Sequence, residues 1–256
     1  MLIVLSPAKR LDFSEPLIAV EHTLPRLAED TASLAKTAKR QTKADLRRLM
    51  GISDDLAQLN RERFQAFDPE ATEGTPAAFA FAGDVYQGLD ARSLDAQAIA
   101  FAQDRVRILS GLYGVLRPLD RIQPYRLEMG TRLKTRRGAS LYDFWGDRLS
   151  KQLNEDALGH ADPTLVNLAS QEYFGAVDAK ALKIPVVACH FREAKDGETK
   201  IISFFAKKAR GTMARFAIEQ RIDRVEDLKA FERDGYAYDK AASTGTDWIF
   251  IRAGNS

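Results

Sequence analysis

The chain opens on an unbroken apolar run, Leu2 to Leu5, and such a run predicts a buried strand. The pattern then changes period. Leu27, Leu34 and Ala38 recur at helical spacing behind Pro25, which predicts a helix to about Arg40. Leu46, Leu49 and Met50, then Leu56, Leu59 and Phe64, form two further helical stripes that meet at Gly51-Ile52-Ser53. A Pro/Gly/Thr-rich loop over 68–76 follows. Residues 77–82, alternating Ala and Phe, predict a strand that turns at Gly83. Residues 92–103 read as a helix, 107–110 as a strand, and 111–130 as a shaped loop dense in Gly, Pro, Tyr and Arg. Residues 141–158 read as a helix with Phe144, Trp145, Leu149 and Leu153 inward. Strands are expected over 164–169, 184–191 and 200–205, a short helix over 170–174, and a helix from the third of these strands to about Arg221. Residues 235–252 alternate as a closing hairpin, with Tyr236 and Tyr238 on one arm and Trp248, Phe250 and Arg252 on the other.

No composition shift divides the 256 residues. Helices and strands interleave irregularly, so the expected fold is α/β (mixed α+β): a single domain over 1–256 whose mixed β-sheet is flanked by helices. Residues 36–64 form a helix-hairpin-helix-like appendage within it.

Composition narrows the class. An apolar share of 45% and a charged share of 29% are those of a soluble globular protein. Net charge is +2, which excludes a histone-like polycation, so any nucleic-acid face must come from local clustering of Lys and Arg. One cysteine, Cys189, permits no internal disulfide and points to the cytoplasm. The four apolar residues after Met1 fall short of a signal peptide, and no run reaches the ~20 residues of a membrane helix. Cys189 and His190 are adjacent on a predicted strand and face opposite ways, so they cannot form a nucleophile–base pair. His22 and His160 are isolated and expected at the surface. No Cys/His set has zinc spacing; no metal and no cofactor are expected.

The segment 36–64 carries the strongest candidate chemistry. Gly51 can take a positive φ, Ser53 can cap the next helix, and Asp54 and Asp55 suit its first turn. Lys36, Lys39, Arg40, Lys43, Arg47 and Arg48 flank the turn against one acid, Asp45. In a helix-hairpin-helix, a Gly–apolar–Gly turn offers backbone N–H groups to a phosphate. Gly51 and Ile52 fit; Ser53 stands where the second Gly would be, and Asp54 and Asp55 where neutral or basic residues would suit a phosphate. The same residues also read as an ordinary helical hairpin with a solvated basic face.

Other candidates sit at strand ends, where ligands of α/β proteins gather. Lys9 follows the first strand, and Asp84 lies between Gly83 and Val85. Arg117 and Arg126 lie in the shaped loop, and Lys207, Lys208 and Arg210 at a strand-to-helix junction. Each has a structural alternative: a solvated lysine, a turn aspartate, an ion pair with Asp120 or Glu128.

The segments SPAKRLDF (6–13), GDVYQGL (83–89), LSGLYGVLRPLD (109–120), QPYRLEMG (123–130), LYDFWGD (141–147), NLASQEYF (167–174) and IISFFAKKARG (201–211) together resemble the YaaA peroxide-stress family of bacterial proteins, over nearly the whole chain. Arg10 departs from that pattern, where a Thr is more usual. The resemblance implies a cytosolic protein that protects cells from hydrogen peroxide by limiting free iron and its damage to DNA. It also implies an unusual mixed α/β fold, a positively charged cleft, a helix-hairpin-helix element and binding of double-stranded DNA. It supplies no catalytic mechanism.

Two readings follow. In the first, Gly51, Ile52 and Ser53 meet phosphates, Lys39, Arg40, Lys43, Arg47 and Arg48 supply charge, and Lys207, Lys208 and Arg210 line a cleft. In the second, Lys9, Asp84, Arg117, Arg126, Lys207 and Lys208 converge in the pocket of an enzyme for a phosphorylated or nucleobase-containing small molecule. No nucleophile, metal set or Gly-rich nucleotide loop names a reaction. Direct iron binding has little in its favour, since the three histidines lie in unrelated contexts. No membrane partner is expected, and a monomer is the simplest oligomeric state.

Overall fold

The computed structural model describes residues 1–14, 21–195 and 198–253. In chain order, β1 (Leu2–Leu5) and the two-residue β2 (Arg10–Leu11) precede three helices: α1 (Ala28–Lys39), α2 (Lys43–Met50) and α3 (Asp54–Ala66). Next come β3 (Thr75–Pro76), α4 (Ala77–Ala80), β4 (Phe81–Ala82), α5 (Asp84–Leu89) and α6 (Ala96–Arg105). The middle of the chain holds β5 (Val106–Ser110), β6 (Gly114–Leu116), β7 (Arg121–Ile122), α7 (Leu141–Trp145), α8 (Arg148–Asp156), β8 (Leu165–Asn167) and α9 (Gln171–Phe174). The last part holds β9 (Val186–Lys195), β10 (Glu198–Lys200), α10 (Ser203–Glu219), β11 (Tyr236–Asp239) and β12 (Asp247–Ala253).

The main sheet runs β11-β12-β9-β8-β1-β5-β6, with β10 on β9. Its five inner strands are parallel; β6, β10 and β11 pair antiparallel. This is the expected mixed α/β sheet. The four residues of β1 are at most 1% exposed, and all five of β5 are buried. The continuous apolar run of β1 suits a parallel strand covered on both faces, and β5 beside it buries Arg107 and Ser110 as well as its apolar residues. From β1 the chain steps to β5 on one side, then returns to lay β8, β9 and β12 outward on the other. β1 and β8 are therefore neighbours whose onward connections run in opposite directions, the switch point where such sheets bind ligands.

Several elements differ from expectation. Residues 77–82 are not one strand. Ala77–Ala80 forms a helical turn whose alanines bury on every side, and only Phe81–Ala82 pairs, with Arg10–Leu11. Small helix-forming residues take the helix here, with the Ala77 and Ala78 N–H groups donating to the Asp120 and Pro118 carbonyls. Residues 200–205 are likewise not a strand, because α10 begins at Ser203. Its buried face, Ala206, Ala209, Met213 and Ala217, keeps helical spacing and carries the helix back through Phe204, which is half exposed together with Ile201 and Ile202. The helix expected over 141–158 is two, α7 capped by the positive-φ Gly146 and α8; its four predicted inward residues are all buried. Leu56 and Leu59 are partly exposed, each at 39%, and α3 instead buries Ala57, Asn60 and Phe64. Asp84 sits in the first turn of α5 rather than in a turn. His160 is not a surface residue: its side chain is 6% exposed, beside Asp104.

Candidate functional site

A cleft of about 430 Å³ opens at the carboxyl ends of β1 and β8. Its floor is built from the residues that leave those strands. Ser6 Oγ accepts the Ser170 N–H at 2.8 Å and donates to Ser170 Oγ at 3.2 Å. The Tyr86 hydroxyl donates to the Ser6 carbonyl at 3.0 Å, so α5 is fastened to the end of β1. Burial raises the Tyr86 and Tyr125 hydroxyls well above the ordinary phenol range, so both stay protonated. Two helices complete the walls: α5 brings Asp84 and Val85, and α10 brings Lys207 and Arg210.

Of the six side chains expected to converge, Lys9, Asp84, Arg126 and Lys207 line this cleft. Arg117 does not; Asp120 holds it at 2.8 Å, the structural ion pair. Lys208 faces away, 3.4 Å from Asp234. Within the cleft Glu128 lies between Arg126 at 2.8 Å and Lys9 at 3.2 Å, so those two cations are already matched. Glu172 accepts the Gly130 N–H at 2.9 Å. Glu128 was expected only as an ion-pair partner, and Ser6, Ser170, Glu172 and Tyr173 were not singled out from sequence, although all lie inside the segments that carried the resemblance. Arg210, an expected DNA contact, lines the cleft with its Nε buried and unpartnered, and burial lowers its pKa.

A second concavity, about 900 Å³, lies between α1 and the loop 134–137. Its lining includes Lys36, Lys39, Arg40, Lys134, Arg136 and Arg137 and no acid. Arg137 is held by Asp30 and lies over the Phe144 ring. The other five have no ion-pair partner among the described residues. The loop is a tight turn: the Thr135 N–H donates to the Gly138 carbonyl at 2.8 Å, and the Arg137 N–H to Thr135 Oγ1 at 3.1 Å. Sequence reasoning placed Lys39 and Arg40 among the candidates but missed Lys134 and Arg136. The cluster RLKTRRG (132–138), six polar or turn residues around one leucine, was the available signal.

The helical hairpin α2–α3 forms where expected. Gly51 has φ 59°, and Ser53 caps α3 by accepting the Leu56 N–H. Thr42 and Asp45 make a capping box at the start of α2. The Gly51 and Ile52 N–H groups both donate to the Arg47 carbonyl. Asp54 holds Lys43 and Arg47, each at 3.0 Å, and Asp45 holds Arg48 at 2.8 Å. The groove and the cleft share no lining residue.

Among the described residues no group of three or more His, Cys, Asp or Glu side chains is arranged to hold a metal ion, and no helix is long and apolar enough to cross a membrane. Cys189 is buried, and burial pushes its thiol up to about 12.

Comparison with known proteins adds a family. A family model described as "Peroxide stress protein YaaA" matches residues 1–242. A UPF0246 protein of Caulobacter vibrioides (strain NA1000 / CB15N) is 64% identical over 252 residues, covering 98% of this chain and 99% of the relative. One from Phenylobacterium zucineum is also 64% identical, covering 98% of this chain and 95% of its own length. One from Ruegeria pomeroyi is 56% identical over 254 residues, covering 98% of each.

Proposed function

The chain belongs to the peroxide stress protein YaaA family, and from that premise we propose that it binds the phosphate backbone of double-stranded DNA in the cytoplasm and thereby limits iron-dependent damage. The observation that carries this reading is the groove between α1 and the loop 134–137. Lys36, Lys39, Arg40, Lys134 and Arg136 face it without ion-pair partners among the described residues, in a chain whose net charge is only +2. Cations gathered on one concave surface suit a polyanion whose charge repeats along a track. Their contacts would be to phosphates and carry no base readout. Each phosphate neutralised by a side chain releases a condensed counterion. Iron held at the backbone as such a counterion would be displaced by the same event, which links binding to protection.

The hairpin α2–α3 has a secondary part in this reading. Its Gly51 and Ile52 N–H groups are spent on a carbonyl, and Lys43, Arg47 and Arg48 are each matched by an acid. α3 meets the end of α1 beside the groove, where the Gln65 side-chain amide donates to the Lys39 carbonyl at 2.6 Å.

The test is the salt dependence of binding to a duplex of arbitrary sequence, read by fluorescence anisotropy. Five neutralised phosphates give a log–log slope of about −4.5. Replacing Lys36, Arg40 and Arg136 together by Ala should reduce its magnitude by about 3 and weaken binding to all duplexes alike. A slope unchanged in this variant removes the groove from the reading.

A further inference from the structure

We propose that the cleft at the ends of β1 and β8 is a separate site for a small organic phosphate monoester with a hydroxyl-bearing body. Arg210 is the first ground. Three other deeply placed arginines have a carboxylate: Arg107 has Asp156, Arg117 has Asp120 and Arg252 has Glu193; Arg121, whose Nε is also buried, still donates from Nη1 to the Thr72 carbonyl at 2.6 Å. Arg210 has no ion pair or hydrogen bond among the described residues, and its Nε is fully buried against the cleft. A buried guanidinium N–H left without an acceptor is costly, and an anion in the cleft would supply the missing counter-charge. Lys207 lies three residues earlier on α10, on the same helical face, exposed and equally unpaired.

Charge selects the anion. Lys9, Arg10, Arg126, Lys207 and Arg210 line the cleft against Asp84, Glu128 and Glu172, five positive to three negative, a surplus of two. A phosphate monoester carries about −1.5 to −2 near pH 7, whereas a carboxylate or a phosphodiester carries only one negative charge. The cleft is thus matched to a monoester and the α1 groove to a chain of diesters. The cleft is also larger than a bare phosphate needs and falls in the range of small-molecule sites, roughly 300–1,000 Å³. Pro7, Ala8, Val85 and Leu127 give it an apolar wall for the ligand's body. The Asp84 carboxylate makes no hydrogen bond or ion pair among the described residues and faces the same space, which suits a pair of ligand hydroxyls. The site lies where the chain's two crossover directions part, the position general to sheets of this kind.

The test is calorimetric titration of the full chain with ribose 5-phosphate, alongside ribose, dimethyl phosphate and inorganic phosphate. Ribose 5-phosphate should bind more tightly than the other three, and its affinity should rise as pH passes about 6, the monoester's second pKa. Lys207→Ala and Arg210→Met should each weaken it about ten-fold or more. Arg210→Met should keep or raise the thermal midpoint, since it removes an unpaired, partly buried charge, and should leave the salt slope for duplex DNA unchanged. Equal affinity in wild type and both variants overturns the proposal. So does failure to prefer ribose 5-phosphate over dimethyl phosphate, or binding of inorganic phosphate as tight as that of the ester. None of these outcomes bears on the groove, whose slope is measured separately.

Discussion

Gly88 on α5 and Gly211 on α10 interlock. A Cβ on Gly211 would lie 1.8 Å from the Val85 carbonyl oxygen, and one on Gly88 would lie 2.1 Å from that of Lys208. The two helix backbones meet with no side chain between them. That contact fixes Asp84, at the start of α5, and Lys207 and Arg210, early in α10, as walls of one cleft. In an exposed helix interior, Gly→Ala stabilises by about 1 kcal/mol. Here Gly211→Ala should instead destabilise by about 1–3 kcal/mol, because backbone must move. A thermal midpoint at or above wild type would show that the helices separate freely.

Asp54 decides whether the hairpin joins the DNA surface. It holds Lys43 and Arg47, each at 3.0 Å, on an exposed face. Asp54→Asn should free both cations and steepen the salt slope of duplex binding by as much as about 2. An unchanged slope would leave the hairpin outside the interface.

Asp156 is the counter-charge of the core. Its side chain is 1% exposed and meets Arg107, itself 3% exposed, and Arg26; Gln152 adds a hydrogen bond at 3.0 Å. Asp156→Ala leaves Arg107 buried and unpaired, and should cost about 3–5 kcal/mol in urea unfolding. A loss under 1 kcal/mol would mean that water reaches Arg107.

Cys189 should not sense peroxide. Its thiol is buried and held up to about 12, so almost no thiolate is present at neutral pH. A thiol-reactive disulfide reagent should label it only after denaturant is added. Rapid labelling of the native protein would contradict this.

The native state should become more stable from pH 6 to pH 8. Burial, and then Arg105, lower the Met1 amine to about 6, and burial with the same arginine lowers His160. Asp104 partly offsets both shifts, and Asp162 and Asp223 partly offset that of the amine. Across that window the unfolded chain binds more protons, so folding is favoured as pH rises and weakened as pH falls. Urea midpoints at pH 6, 7 and 8 check the sign; a falling series would refute it.

What could be read from the residues was whatever depends on neighbours in the chain. Leu2–Leu5 announces a buried strand, Gly51 and Ser53 end one helix and start the next, and the alternation after Gly235 gives a hairpin. Apolar period, caps and turn residues act over a few positions, so the string contains them. Residues 77–82 and 200–205 misled because a strand-like apolar content there was overruled by what each segment packs against.

The sites depended on the tertiary structure in a different way. Lys9, Asp84, Arg126 and Lys207 were chosen one by one as polar groups at element ends, and only the order of β1 and β8 in the sheet gathers them. Whether a cation is spent or free is settled by which acids packing brings beside it, near in sequence or far. Asp120 takes Arg117 and Asp54 takes Lys43 and Arg47, while Lys36, Lys134 and Arg210 are left facing open space. The sequence determined which charges the protein has and which segments fold. Only packing decided which charges remain uncompensated, because a Coulomb partner is a neighbour in space and not along the chain.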